Sequence, residues 1–358
     1  MAEFILKFFL TNILFSAIIA VVFLSLKKSD GVSHSEIVLY SLGLGPPIVS
    51  LLLYWLFLIF PHCSNGFYLL MVLLFFLLLI IITVFKLIRW RVSVLRSLCY
   101  RVDAFRNALG NIKMMKLKLL LVFIISIPIL LASFMYAKHY LSKPLYGHDI
   151  LAYGTIGKIY YIEKSIEHSF RGFHPHTGFS YFPQHAPGLS LLSTWERILN
   201  LHLNSNNDYY FKSITVYYGM LILALAFFCL NKRSTLFAFL GVSALFSAPA
   251  FFMSFRIYHI DLYRIFLLTV SWIFLAYSIK DRYNFSLYMF GLCSGLSSFS
   301  HTIGAIVSGF GIIALLIFLG GGLRHRFVPA LKVILLIILF GGIHYIIDTF
   351  WGTGWIFS

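Results

Sequence analysis

The sequence predicts an all-α, polytopic integral membrane protein. It has about ten transmembrane helices and a large first outer loop carrying juxtamembrane helices. Three observations predict this. Of 358 residues, 60% are hydrophobic and only 11% charged, against about 25% charged in a soluble domain. Apolar runs of near-spanning length recur, and residues 37–60, 67–85, 119–137, 213–231 and 234–255 contain no Asp, Glu, Lys or Arg. The basic residues between runs fall in loops that strict alternation places on one side.

Taken in order, the expected spans are 4–26, 37–60, 67–88, 119–136, 213–230, 234–253, 262–279, 285–299, 303–320 and 331–349. The first has Lys7 near its outer end, where the side chain can snorkel, and no small-residue cleavage site follows it, so it reads as a retained span. Pro46–Pro47 predicts a kink in the second. Residues 86–118 carry nine Lys or Arg against one acid, Asp103, which marks a cytoplasmic loop. Alternation then puts Lys27–Lys28, Lys232–Arg233, Lys280 with Arg282, and Arg324 with Arg326 on that side, and the loop 137–212 outside. The net charge of +16 follows from these loops and calls for no nucleic-acid partner. Cys63, Cys99, Cys229 and Cys293 are scattered without CxxC or Cys/His spacing.

The threading gathers the unusual polar residues at one face. Asp149, Asp261, His301 and Asp348 lie at outer ends of spans or in outer loops, and seven of the thirteen histidines fall in loop 137–212. The first three spans have uncharged interiors. A boundary near residue 118 therefore separates an N-terminal three-span region with its basic loop, 1–118, from a functional module, 119–358.

Four stretches hold the candidate residues. In "GHDILAYGTIGKIYY", a helix starting at Asp149 puts Asp149, Ala152, Tyr153, Ile156 and Tyr160 on one face and Lys158 on the other. The helix would lie at the membrane interface, with Asp149 as its N-cap, as a reactive acid, or both. In "SFRGFHPHTGFSYFPQHAPGLSLLSTWERIL", Pro187 suits the first turn of an apolar helix. There His174, His176, Tyr181 and His185 would line a wet cleft with His148 and His259; a divalent metal on the three loop histidines has no recognised ligand spacing to support it. In "SFRIYHIDLYRIFLL", Asp261 and Arg264 are helical neighbours, and Arg256 and Arg264 are the outward cations best suited to a lipid phosphate. In "GLCSGLSSFSHTIGAIVSGFG", two helices are expected to meet near Ser298–His301.

The order of these pieces resembles the GT-C polytopic glycosyltransferases, which use polyprenyl-phosphate-linked sugars. Asp149, Tyr153 and Lys158 take the positions of that family's first-loop Asp, aromatic and basic residue. "YFPQHAPGLSLLSTW" resembles its Tyr-Pro-Pro-Leu element, with Pro183, Pro187 and Gly188 matching in kind. Asp261 resembles its later outer acid, and "GLCSGLSSFSHTIGAIV" its Gly-Leu segment, with Ser300–His301 where relatives often carry Lys.

The resemblance covers about residues 119–349. It implies transfer of a sugar from a polyprenyl-phosphate donor to a hydroxyl of a glycan, lipid or protein at the outer face of the membrane. With no other sorting signal in the sequence, a bacterial or archaeal inner membrane is the expected location. Asp149 is the expected general base, with Arg256, Arg264, Lys158 and His301 toward the donor phosphate. No cofactor is implied with certainty. A transporter or flippase, or a polymerase or ligase of lipid-linked glycans, stands as the alternative.

Overall fold

The structure, a computed structural model, describes residues 9–26, 32–89, 148–167, 186–199, 211–251, 260–281, 284–320 and 322–351. It is helical throughout, with no strand among the described residues. After a π-helical turn, Phe9–Ile13, come α1 (Leu14–Leu26), α2 (His34–Leu42), α3 (Gly45–Ile59) and α4 (Asn65–Arg89). Then follow α5 (His148–Glu163), α6 (Gly188–Leu199), α7 (Phe211–Asn231) and α8 (Thr235–Ser247). The C-terminal part holds α9 (Ile260–Asp281), α10 (Asn284–Ser300), α11 (Thr302–Phe318), α12 (Leu323–Ile337), a second π-helical turn (Ile338–Gly342) and α13 (Ile343–Trp351).

Helices stand at nine of the ten expected places, and the tenth, 119–136, lies outside the described residues. Four stretches among the described residues are long and apolar enough to cross a membrane: Asn65–Lys86, Ile214–Asn231, Asp261–Lys280 and His325–Phe350. The pair α2–α3, bent by 50°, makes a fifth if counted as one broken span. Three more apolar helices, α1, α8 and α11, run only 13, 13 and 17 residues. Length is what separates them from the rest, because a straight crossing needs about 20 residues at 1.5 Å each.

Helix α4 shows what surrounds the bundle. Its Asn65–Lys86 window has mean hydropathy 3.2, yet Leu70, Leu74, Leu78, Ile81 and Phe85 are all exposed. A continuous apolar face of that size is not stable against water and fits the hydrocarbon of a bilayer.

The bend between α2 and α3 falls at Gly43–Leu44, just before Pro46 and Pro47, which occupy the first turn of α3. Proline there cannot bond back across the break, so the end of α2 keeps unpaired carbonyls. Two tyrosines of α7 take them up: the Tyr217 hydroxyl donates to the Leu42 carbonyl at 2.5 Å, and that of Tyr218 to the Gly43 carbonyl at 2.8 Å. In an apolar interior this satisfaction has to come from the protein itself.

Helix α10 is the centre of the fold. From Met289 to Ser300 every residue is buried, between α9, α11, α12 and the second π turn. Helices α9 and α10 form an antiparallel hairpin in register: Ser271 and Ser294, equally far from the turn, have their hydroxyls 2.6 Å apart. Two further serines of α10 bond to its own backbone, Ser298 donating to Ser294 O at 2.8 Å and Ser300 to Ser297 O at 2.6 Å. Small residues here let backbones approach closely.

Candidate functional site

Antiparallel packing sorts the polar groups to two ends. Asp261 begins α9, while Ser298–Ser300 end α10 and His301 joins it to α11, so these lie at one end. The Tyr345 hydroxyl donates to Ser298 O at 2.8 Å, which brings the last turns of the chain, with His344 and Asp348, to that end as well. Glu36, Lys232 and Tyr277 meet at the other.

The elements bearing the four candidate stretches pack on one another. Gly157 of α5 lies on α6: a Cβ there would be 2.5 Å from Ser190 O, and the Thr194 hydroxyl donates to Gly157 O at 3.0 Å. Gly188, opening α6 directly after Pro187, abuts the end of α10, where a Cβ would be 2.6 Å from Phe299 O. The α9–α10 hairpin completes the group. Helix α6 is buried along almost its whole length, Trp195, Thr194 and Glu196 included.

Helix α5 begins at His148, so Asp149 lies in its first turn, one residue inside the expected start. Tyr153, Ile156 and Tyr160 are buried and Lys158 is exposed, the division that the helical spacing predicts. The two tyrosines pack into the bundle core, at 1% and 2% exposure, and are not spread on an interface. Asp261 and Arg264 form an ion pair along α9, the arginine side chain 16% exposed and the acid 36%. Arg264 is thus held by an acid of its own helix.

His301 caps α11, its Nδ1 accepting the Ile303 N–H at 3.1 Å, which turns that ring nitrogen onto the backbone. Arg256, His259, His174, His176, Tyr181 and His185 lie outside the described residues. Among the described residues no group of three or more His, Cys, Asp or Glu is placed to hold a metal.

The same end contains a buried polar cluster that the four stretches do not include. Tyr54 of α3 is fully buried, its hydroxyl 3.4 Å from Nδ1 of His344, 290 residues away in sequence. Its ring meets Phe299 edge-on at 5.3 Å between centroids and His344 at 5.8 Å. Asp348, one helical turn beyond His344, is only 3% exposed, and Tyr54 and Tyr345 lie within its electrostatic reach. The only signal for this cluster in the sequence is the i, i+4 pair His344 and Asp348 inside an apolar run.

At the opposite end, Glu36 is buried at 2% exposure and pairs with Lys232. Tyr277 donates to Glu36 at 2.9 Å and accepts from Lys232 at 3.2 Å. Partial burial works against the Lys232 ammonium, but its hydrogen bonds to Glu36 and Tyr277 prevail and hold its pKa above the usual 10.5. This group ties α2, the α7–α8 turn and α9 together, and its partners are all internal.

No protein-family model, no curated protein and no solved structure matches the chain.

Proposed function

We propose that the protein is a membrane glycosyltransferase that moves a sugar from a polyprenyl-phosphate donor to a hydroxyl acceptor on the outer face of a membrane, with Asp149 as general base. In this reading the chain threads ten times, the basic loops face the cytoplasm, and the end carrying Asp261, His301 and Asp348 faces outward. The observation that carries the reading is the contiguous packing of α5, α6, α10 and α9, since these four elements hold the residues that resemble the GT-C family.

The chemistry needs few groups. The acceptor hydroxyl gives its proton to the Asp149 carboxylate while its oxygen bonds to the anomeric carbon. The bond from that carbon to the phosphate oxygen breaks, and the electron pair leaves on the polyprenyl phosphate. The leaving group is already anionic, so no acid has to protonate it, unlike glycoside hydrolysis with its two carboxylates. Arg264, Arg256, Lys158 and His301 are the groups to hold the phosphate. Arg264 would have to share itself between Asp261 and that phosphate.

The test is transfer of labelled sugar from a panel of polyprenyl-phosphate sugars by purified protein, with and without EDTA. Asp149→Asn should lower turnover about 10²–10⁴-fold while donor binding persists. Loss of donor binding with chemistry intact would remove Asp149 from the base role. Donor that binds, is not turned over and crosses a reconstituted bilayer would replace transfer by transport.

A further inference from the structure

An apolar groove of about 330 Å³ opens on the side of the bundle. One wall is α4, through Leu79, and the other is the second π turn, through Leu339; α1, α3 and α10 supply the floor. Along α3 it runs from Ile48 to Trp55, about 10 Å at 1.5 Å a residue and roughly a third of a bilayer crossing. That is too short to seat a membrane-spanning helix.

The two walls share a feature. Helix α4 starts after the turn that meets the end of α5 and runs toward the end of the bundle holding Glu36 and Lys232, whereas α12 starts at that end and runs back. Lys86 stands seven residues beyond Leu79, and Lys332 seven residues before Leu339. Seven residues make two turns, so each lysine shares a helix face with its wall of the groove, about 10 Å nearer the Lys232 end. Ile82 and Leu335, both exposed, fill the turns between. Lys332 is exposed and Lys86 half-buried, and neither ammonium has a hydrogen-bond or ion-pair partner among the described residues. Both belong to stretches long and apolar enough to cross a membrane, Asn65–Lys86 and His325–Phe350. A lysine in such a place is costly unless its stem snorkels and its charge meets an anion. The same step in the other direction from Leu79 and Leu339 reaches Val72 and Ile346, so the two walls are cationic toward one end only.

We infer that the groove binds an acyl chain of an anionic phospholipid from the leaflet at the Lys232 end, with the phosphate held between Lys86 and Lys332. The chain follows from the lining: apolar side chains, among helices whose outer faces fit hydrocarbon, take hydrocarbon. The head group follows from the two lysines, since basic residues beside spans attract anionic lipid at the leaflet surface. The part of the chain next to the head covers Ile82 and Leu335. The site lies toward the opposite end from Asp261 and His301, and it stands whether or not the protein transfers sugar. It also gives the N-terminal region a task, because α1, α3 and α4 build the floor and one wall.

The probe is phosphatidylglycerol with a diazirine midway along one acyl chain, a minor component of phosphatidylcholine liposomes holding the full chain. Saturable labelling of residues 48–55, 75–79 and 339–340 is expected, and a phosphatidylcholine probe should label them at least tenfold less. Lys86→Gln and Lys332→Gln should each lower labelling about fivefold, and the double variant at least tenfold. Leu339→Trp, which narrows the groove at its exposed rim, should lower it at least tenfold with both lysines in place. Free sn-glycerol 3-phosphate should not compete. Labelling that does not saturate, that is as strong from phosphatidylcholine, or that survives both the double lysine variant and Leu339→Trp would overturn the site. Competition by glycerol 3-phosphate would make the lysines a site for a soluble phosphate and overturn the lipid.

Discussion

Glu36 shows what a single residue does in this fold. Its backbone N–H donates to the Ser33 hydroxyl at 3.2 Å, its carboxylate accepts from the Ser33 N–H at 2.7 Å, and the same carboxylate holds Lys232 and Tyr277. Removing a charge from such a pair leaves its partner without compensation; Lys232 is 51% exposed, so water recovers part of the loss. Glu36→Gln should therefore cost about 1–3 kcal/mol of stability at neutral pH, seen as a lower melting temperature in detergent. The pH dependence has a defined sign. A lysine whose folded pKa lies above 10.5 contributes its full stability below that value and loses it as pH rises through the folded pKa. The gap between wild type and Glu36→Gln should accordingly stay constant from neutral pH to about 10 and narrow above 10.5. A gap independent of pH up to 12 would place the effect in the capping box alone. At this scale the sequence reveals acids and histidines in apolar runs, as with Asp261, His301 and Asp348. It does not reveal partners: nothing near Tyr54 points to His344, 290 residues on.

At the scale of elements, local chemistry made some features readable and long-range packing hid others. Pro46–Pro47 announce the break between α2 and α3, Pro187 the start of α6, and Ser298–His301 the joint between α10 and α11, because each acts on its own backbone. What the breaks lean on is tertiary. The two carbonyls freed at Gly43 are satisfied by Tyr217 and Tyr218, and hydropathy reads both tyrosines as ordinary residues of a span. Leaving such a carbonyl unsatisfied costs about 1–3 kcal/mol. Tyr218→Phe, buried completely and bonded at 2.8 Å, should lose about that much, and the double variant with Tyr217→Phe more than either alone, by thermal unfolding in detergent. Equal stability of all three with wild type would mean that the Leu42 and Gly43 carbonyls find other donors. Helix α6 gives the opposite lesson. Its sequence predicts an apolar helix from Pro187 but not its surroundings: it is enclosed nearly all round, because Gly157 and Gly188 let α5 and the end of α10 close directly onto it.

For the whole molecule, composition alone indicates helices facing hydrocarbon, and the exposed face of α4 agrees. The count of crossings is less legible. Hydropathy counts apolar runs, whereas a crossing also depends on how straight and long each helix is and on whether lipid or protein surrounds it. Helix α10 is 17 residues long and enclosed by protein, and α2–α3 is one run broken into two helices. Orientation can be tested where the fold separates its ends. Ser64 lies in the exposed turn between α3 and α4, at the end where His62 bonds the C-terminal turn of α5, and Arg233 lies in the exposed turn between α7 and α8, beside Lys232. In a background with all four cysteines replaced, Ser64→Cys should react with a membrane-impermeant maleimide in intact cells. Arg233→Cys should react only after permeabilisation, because the basic loops are held on the cytoplasmic side. Both reacting from one side would break the alternation that places the acids and histidines outward, and with it the outward-facing site. The reversed pattern would keep the alternation and turn the site toward the cytoplasm, where nucleotide-linked sugars replace lipid-linked ones as the accessible donors.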